Sequence, residues 1–417
     1  MKLYNTQTKD FDILEPADVI KLYTCGITPY DTTHLGHAFT YAVSDMLVRA
    51  LESRGQKVTY VQNVTDIDDD ILRKAKEVGE DWITLGNRWT RHYIADMKAL
   101  NIQPPDHFPR ATDVIFSMIE KIEALLQEGV AYEKDGNVYF EIESWKPFGK
   151  LSHLLREEML PIANERGNNP DDKHKRDPLD FVLWQAEKPG EPSWESPWGK
   201  GRPGWHIECS TMATDLLGDT IDVHSGGGDL LFPHHECEIA QIEPLNDQKP
   251  FVRFWLHVAM VYHEGEKMSK SLGNLIMVRD LLEEYTPDAL RIYMGMHHYR
   301  ESWSHNLRDL NQASALDYEI RQALTMEGKG QDKLDPAPYQ GKFEKALDDD
   351  LDTPTALKIV QELVKKIIYG NRAGKDIHEA QSVLRSFGDV FGLRMGNPEP
   401  DPRVIDGWNQ HLTRFQE

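Results

Sequence analysis

Two short stretches carry residue types that could do chemistry on phosphates. His34-Leu35-Gly36-His37 places two imidazoles around a glycine, and histidines can donate hydrogen bonds to charge that develops on a reacting phosphate. Glycine lets the backbone approach a phosphate closely. Further along, GEKMSKSLGN (265–274) contains Lys267 and Lys270, whose ammonium groups could neutralise a departing pyrophosphate. Together the two stretches indicate chemistry on a nucleoside triphosphate.

The cysteines and their neighbours suggest a metal. Cys25, Cys209 and Cys237 are too few and too scattered for a disulfide framework, so we expect a reducing compartment and free thiols. His234 and Glu238 lie four residues apart in a predicted helix, so their side chains share one face. Two thiolates, an imidazole and a carboxylate suffice for four-coordinate zinc. Spacing alone does not identify which residues would bind it.

A strand, turn, helix and strand must position His34. Residues 19–25 predict a buried strand, a helical pattern then runs to a stop at Gly55, and KVTYVQNVTD predicts the second strand. Such a βαβ unit builds a parallel sheet with ligand sites at the carboxyl ends of its strands. The predicted fold class is therefore α/β with a parallel sheet.

The middle of the chain predicts an insertion into this sheet. Residues 113–128 predict a helix closed by Gly129, and Asp135-Gly136 predicts a hairpin turn. Regular periodicity stops over 160–204, so about 116–200 is interpreted as the insertion. A second α/β portion follows, with DTIDVHSGGGDLLF as strand and glycine-rich loop and a helix beginning at Pro233.

From about residue 305 onward the pattern is helical. One helix is predicted with Thr353 as N-cap, Pro354 as first helical residue and Gly370 as C-terminal stop. Its apolar positions form one stripe, interpreted as the core of a helix bundle: Leu357, Val360, Val364 and Ile367.

Composition narrows the function classes. The 417 residues are 40% apolar and 28% charged, an ordinary globular composition. The N-terminus has no apolar h-region and no stretch approaches the length of a membrane span, so we expect a cytoplasmic protein with no membrane partner. A formal net charge of −22 opposes nonspecific binding to nucleic acid, although a local basic patch could still bind a polyanion.

The pair of stretches resembles the HIGH and KMSKS motifs of the class I aminoacyl-tRNA synthetases. The resemblance spans nearly the whole chain and implies a Rossmann-type core that activates an amino acid with ATP and Mg²⁺. It also implies an order of domains: 1–115 first half of the catalytic core, 116–200 connective insertion, 201–250 second half of the core, 251–304 KMSKS-containing stem-contact region, and 305–417 helical bundle without a full anticodon-binding domain.

Within that class the sequence looks like the cysteinyl-tRNA synthetases and their relative, the mycothiol-pathway cysteine ligase. The resemblance implies one zinc, bound by Cys25, Cys209, His234 and Glu238, that takes the thiolate of the substrate L-cysteine. Zinc prefers a soft thiolate over a serine hydroxyl, which a hydrophobic pocket could not separate as strongly. Cys237 matches no ligand position, and we predict that it is a bystander.

The same resemblance assigns the remaining site residues. It implies catalysis by His34, His37, Lys267 and Lys270. It implies cysteine binding by Thr65, Trp205 and His224. It implies ATP binding by Gly26, Thr28, His34, Gly36, His37, Gly226, Gly228, Asp229 and Lys270.

Two acceptors for the activated cysteine are compatible with these residues. We favour the amine of glucosaminyl-inositol as acceptor, because CGITPYDTTHLGHAFTY and Gln62 resemble the corresponding sequence motifs of the mycothiol-pathway ligase. In addition, little room remains after the helical region for an anticodon-reading domain. The alternative acceptor is tRNA(Cys), since FPHHECEIAQIE resembles the synthetase sequences. Two further hypotheses are a ligase that uses another amine and a non-catalytic synthetase paralogue. All chemistry-bearing residues are present, which disfavours the paralogue. A monomer is expected.

Overall fold

The computed structural model describes residues 1–31, 33–246, 249–268 and 273–416. The strands, in chain order, are β1 (Lys2–Asn5), β2 (Asp10–Ile13), β3 (Ile20–Ile27), β4 (Val58–Val64), β5 (Ala131–Lys134), β6 (Asn137–Phe140), β7 (Phe181–Ala186), β8 (Gly201–Pro203), β9 (Ile221–Gly227), β10 (Val252–Val258), β11 (Val261–His263), β12 (Glu266–Lys267) and β13 (Trp303–Ser304). The α-helices are α1 (Leu35–Glu52), α2 (Asp69–Val78), α3 (Trp82–Ala99), α4 (Ile115–Gln127), α5 (Arg156–Asn164), α6 (Trp205–Leu217), α7 (Glu236–Ile242), α8 (Val278–Glu284), α9 (Pro287–Gly295), α10 (Leu307–Thr325), α11 (Ala337–Asp348), α12 (Thr353–Arg372), α13 (His378–Val390) and α14 (Pro402–Leu412).

The central sheet has four parallel strands in the order β10-β9-β3-β4. Because successive side chains of a strand point to opposite faces, β3 contributes to two apolar cores. Leu22 packs into a core shared with α1 and the C-terminal helices, whereas Tyr23 packs into a second core shared with α4, α6 and the antiparallel sheet. The predicted α/β fold with a parallel sheet is confirmed.

A second, antiparallel sheet of order β5-β6-β7-β8 lies between β4 and β9 in the sequence. The predicted hairpin turn is present, and Asp135 and Gly136 both have positive φ, 53° and 78°. Regular periodicity stops over 160–204, yet β7, β8 and the end of α5 lie there. The domain boundaries stay a prediction.

The C-terminal part is helical, as predicted, but α12 differs from its predicted ends. Asp352 is the N-cap and accepts a hydrogen bond from Thr355 N at 2.9 Å, so Thr353 is the first helical residue. Gly370 does not end the helix, which runs on to Arg372. A Cβ at Gly370 would lie 3.5 Å from Ile377 and Leu334, an ordinary van der Waals contact, so packing does not require a glycine there.

The α12 stripe is buried as predicted. At the C-terminal end, α14 packs on α3, and Trp408 Nε1 donates to the Ile102 carbonyl at 2.8 Å. Across the described ranges, the helices lack the combination of length and apolar character that crossing a membrane requires.

Candidate active site

A cavity of about 1230 Å³ opens at the carboxyl ends of the parallel strands. Cys25 and Thr28 reach it from the end of β3, Thr65 follows β4, Asp229 follows β9, and Val258 ends β10. This is the edge at which open parallel sheets bind ligands. Trp205, Cys209 and His234 close the cavity from α6 and from the turn before α7.

Four buried donor side chains meet at one corner of this cavity. The Sγ atoms of Cys25 and Cys209, a ring nitrogen of His234 and a carboxylate oxygen of Glu238 all lie within 4.8 Å of one another. His234 Nε2 is 3.1 Å from Glu238 Oε1, and Cys25 Sγ is 3.6 Å from the same oxygen. These four residues are called the donor cluster below. Two sulfurs, an imidazole and a carboxylate match the ligands and the coordination number of zinc.

Four separate elements supply the donor cluster. Cys25 lies on the Tyr23 face of β3, opposite α1, and Cys209 lies in the second turn of α6. His234 belongs to a π-helical turn, Leu231–His235, that leads directly into α7, which carries Glu238. The four-residue spacing of His234 and Glu238 brings them together on one helical face.

Burial keeps two members of the donor cluster, the His234 ring and the Cys25 thiol, uncharged until a cation arrives. Burial, with smaller effects of His206 and His224, lowers the pKa of His234 well below its ordinary value, so the ring is neutral and can bind a metal. Burial and the adjacent Cys209 raise the pKa of the Cys25 thiol. A bound metal would therefore displace the Cys25 proton, as metal binding to a thiol generally does.

Further histidines support the donor cluster from behind. His235 Nε2 lies 3.3 Å from Cys25 Sγ, and its Nδ1 lies 2.8 Å from Nε2 of His257 on β10. His206 Nδ1 lies 2.9 Å from Nδ1 of His234. Burial lowers the pKa of both His206 and His257 to about 3, so these rings are neutral. His206 contacts His234 directly, and His257 acts on Cys25 through His235, in both cases by hydrogen bonds between neutral rings.

On the other side of the cavity, the turn before α1 is organised by His34. Its Nδ1 accepts from the backbone N–H groups of Gly36 and His37, at 3.1 and 3.3 Å, which makes His34 the N-cap of α1. The rings of His34 and His37 stack with centroids 3.7 Å apart. The backbone of His34 also pairs with Met277, so the chain that follows the lysine stretch joins this turn.

Family models match most of the chain. A model described as tRNA synthetases class I (C) catalytic domain matches residues 11–315, and a DALR domain model matches residues 342–395. The chain belongs to the class I (C) tRNA synthetase family. The predicted enzyme class, a ligase of the class I synthetases, is confirmed.

Curated relatives support this family, and a solved structure shares the fold. The chain is 44% identical over 402 residues to the cysteine–tRNA ligase of Alkalilimnicola ehrlichii, covering 94% of this chain and 85% of that one. It is 42% identical over 419 residues to the cysteine–tRNA ligase of Thermococcus onnurineus, covering 94% and 86%. A Mycobacterium tuberculosis methionyl-tRNA synthetase bound to methionyl-adenylate shares the fold, with a TM-score of 0.65, 15% identity, and coverage of 96% and 93%. These relatives do not support the finer placement beside the mycothiol-pathway ligase.

Most of the residues that the synthetase resemblance assigned lie around the cavity. Its wall includes Gly26, Thr28, Cys25, His34, Gly36, His37, Thr65, Trp205, Cys209, Asp229 and His234. Trp205 stacks on His234 with centroids 4.3 Å apart. Lys270 lies outside the described residues, and Lys267 is described only as backbone in β12.

Three predicted positions lie behind the cavity wall. His224 Nε2 is hydrogen-bonded to Glu238 Oε2 at 3.0 Å, and the ring is fully buried against Trp255. His224 therefore contacts the donor cluster and not the cavity. A Cβ on Gly226 would come 2.8 Å from the His235 ring, and one on Gly228 would lie 3.3 Å from the Val258 carbonyl. Both glycines therefore allow close packing.

His34 limits what the turn before α1 can offer a phosphate. The start of a helix usually presents unpaired backbone N–H groups to an anion, but at α1 His34 already caps two of them. Because Nδ1 accepts both bonds, the neutral His34 ring carries its proton on Nε2, which is the atom able to donate to a substrate.

Sequence reasoning missed His206, His235 and His257. The adjacent His234-His235 pair was the available signal, yet nothing in the spacing links it to Cys25 or to a strand twenty residues away. A second set of donor atoms within 4.8 Å, from Cys25, His224, His235 and Glu238, overlaps the first and shows how closely these side chains are gathered.

Proposed function

We propose that this protein is a cysteine–tRNA ligase, which activates L-cysteine with ATP and transfers it to tRNA(Cys). The donor cluster carries the proposal, because two cysteines, a histidine and a glutamate at the edge of the cavity fit a zinc that would recognise a thiol. The cysteine–tRNA ligases that are 42–44% identical to the chain support the same substrate.

The fit of zinc rests on the chemistry of the donors. Cys25, Cys209, His234 and Glu238 would hold the ion, and His206 and His235 would orient their neighbours from behind. When bound, zinc supplies a strong preference for a soft thiolate over a hydroxyl, which separates cysteine from serine. The protein supplies burial, which excludes water, and fixed imidazoles, which keep the ligands in place.

In the proposed activation, the carboxylate of cysteine attacks the α-phosphate of Mg²⁺-bound ATP and pyrophosphate leaves. His34, through its Nε2 proton, and His37 stabilise the charge on the phosphate, and Lys267 and Lys270 attract the pyrophosphate. Asp229, in the cavity wall after β9, binds the ribose. Thr65 and Trp205 surround the amino acid. A hydroxyl at the 3′ end of tRNA then attacks the acyl carbon, and AMP leaves.

ATP–pyrophosphate exchange tests the first step. We expect exchange that depends on cysteine, is weak with serine, stops when zinc is chelated and returns when zinc is restored. Equal exchange with serine, or full exchange without zinc, would contradict the proposed role of the donor cluster.

AMP release tests the acceptor. The purified enzyme is given ATP and cysteine with either tRNA(Cys) or glucosaminyl-inositol, and we expect turnover with the tRNA. Turnover with the amino sugar alone would contradict the tRNA proposal and favour the amino sugar as acceptor.

Gln62, one of the residues that resemble the mycothiol-pathway ligase, is buried and donates to the Tyr93 hydroxyl at 2.5 Å. It is a packing residue between β4 and α3 and gives the sugar no support.

A further inference from the structure

Glu208 is a buried carboxylate in the wall of the cavity, and one of its oxygens is unsatisfied within the described part of the chain. Its side chain is 1% exposed, and Oε2 has no hydrogen-bond partner among the described residues. Buried charged or polar groups are normally paired, and an unpaired one costs free energy. Neither the zinc site nor the nucleotide site described above uses this residue.

Three other acidic residues of this wall, Asp68, Asp69 and Asp172, make bonds within the protein. Asp68 caps α2 by accepting from Asp70 N at 2.7 Å. Asp69 pairs with Arg202, and Asp172 accepts from the Tyr139 hydroxyl at 2.7 Å. Glu208 makes no comparable bond within the part of the chain that is described. A group absent from the protein itself is therefore the natural partner of this carboxylate.

The local charge favours a cation as that partner. Burial and then the neighbouring Cys209, Asp68 and Asp66 all disfavour a negative charge on Glu208, and a cation beside the carboxylate would offset them. Arg202 is the opposing charge, but its guanidinium is already bonded to Asp69 and, at 3.0 Å, to Glu191. An incoming ammonium group would meet an excess of negative charge and an acceptor that nothing else occupies.

Glu208 also stands in the right place relative to the donor cluster. It precedes Cys209 on α6, and Trp205 lies one turn before on the same helical face. All three line the cavity. In cysteine, the ammonium nitrogen is only three bonds from the sulfur, so a cysteine whose sulfur reaches the donor cluster brings its ammonium beside this part of α6.

We propose that Glu208 binds the α-ammonium group of the amino acid substrate and so selects an α-amino thiol over other thiols. This assignment rests on the proposed activation of cysteine. The donor cluster would then bind the thiol of the substrate, and Glu208 would bind its ammonium group.

Binding of two thiols to the zinc-loaded enzyme tests the assignment. L-cysteine and 3-mercaptopropionate share thiol and carboxylate, but 3-mercaptopropionate lacks the amine. In Glu208→Gln, we expect calorimetry to show cysteine binding weakened roughly 10- to 100-fold, the value of a charged hydrogen bond, with 3-mercaptopropionate binding nearly unchanged. In exchange assays the KM for cysteine should rise more than kcat falls, and Glu208→Asp should recover part of the affinity.

Metal analysis and retained 3-mercaptopropionate binding show that the variant site is intact. If Glu208→Gln does not fold, Glu208→Asp, which withdraws the carboxylate by one methylene, should still weaken cysteine binding, by a smaller factor, and leave 3-mercaptopropionate binding unchanged. Unchanged cysteine binding, or an equal loss for both thiols, would overturn the assignment while leaving cysteine activation standing. Failure of the wild-type enzyme to bind either thiol would overturn the proposed function and this assignment with it.

Discussion

At the scale of single residues, the alternation of β3 decides which side chain joins the donor cluster. Cys25 points to the face covered by α6 and α7, while the neighbouring Thr24 points to α1 and donates to Ser44 Oγ at 3.2 Å. Gly26 follows at an irregularity in the pairing of β3 with β4, where a Cβ would come 1.6 Å from the Asn63 carbonyl oxygen. The strand therefore needs a glycine directly after the cysteine.

Two cysteines in similar burial provide a matched test of the donor cluster. We expect Cys209→Ser to lose zinc and cysteine-dependent exchange, because serine oxygen is a poor ligand for this ion. Cys237→Ser should keep zinc stoichiometry and exchange, since Cys237 is buried beside the cavity but belongs to neither set of converging donors. Metal analysis and exchange assays on both variants check this. Loss of zinc in Cys237→Ser alone would contradict the assignment of ligands.

The sequence predicted part of this cluster from local spacing and part only by resemblance. His234 and Glu238 are four residues apart, which the helical period translates into contact. Cys25 and Cys209 meet because β3 and α6 are neighbours in the fold, and no local pattern encodes that. The contact of His257 with His235 was harder still to predict from the sequence, since it joins a strand to a turn.

At the scale of elements, periodic patterns predicted where helices and strands occur better than where they end. The helix at 353–372 was expected to start one residue late and to stop early, because Thr353 and Gly370 resemble end signals. An aspartate before the threonine is the cap, and the helix continues through the glycine to Arg372. Strands β7 and β8 escaped prediction because a partner strand, rather than periodicity, defines them.

The cap of α12 gives a prediction with an internal control. We expect Asp352→Ala to lower the free energy of unfolding by about 1 kcal/mol, because the Thr355 N–H loses its acceptor. Thr353→Ala should cost less, since the structure assigns the cap to Asp352. Urea denaturation of both variants measures the difference. A larger loss of unfolding free energy for Thr353→Ala would mean that Thr353, the residue predicted from the sequence, is the N-cap.

At the scale of the whole molecule, a buried charge network joins the helix of His34 to the C-terminal part of the chain. Asp45 of α1 accepts from Arg49 Nε at 3.0 Å and from Arg291 of α9. Arg49 donates to the Asp389 carbonyl and Arg291 to the Phe391 carbonyl, both near the end of α13. Helix α1 is thus fixed at its start by His34 and near its end by the helical domain, an arrangement that periodicity could not predict because it depends on contacts 246 residues apart.

The network predicts a pH-dependent stability. Burial opposes ionisation of Asp45, but Arg49 and Arg291 outweigh burial and hold its pKa below the ordinary aspartate value. A lowered carboxylate pKa stabilises the fold above the ordinary value of about 4 and stops doing so as pH falls through the folded-state pKa. Asp45→Asn should therefore lower the free energy of unfolding by about 3–5 kcal/mol at pH 7, because it leaves two buried guanidinium groups without their carboxylate.

Below pH 4 the gap between wild type and Asp45→Asn should narrow, because the wild-type protein then loses the same interaction. Urea denaturation from pH 7 down to pH 3 measures the gap. Asp349→Asn is the control: it removes an ion pair with Lys2 whose carboxylate is 62% exposed, and should cost less than about 1 kcal/mol. A gap that stays constant down to pH 3 would mean that the charge of Asp45 does not hold α1 to the helical domain, and that shape alone joins the two parts of the molecule.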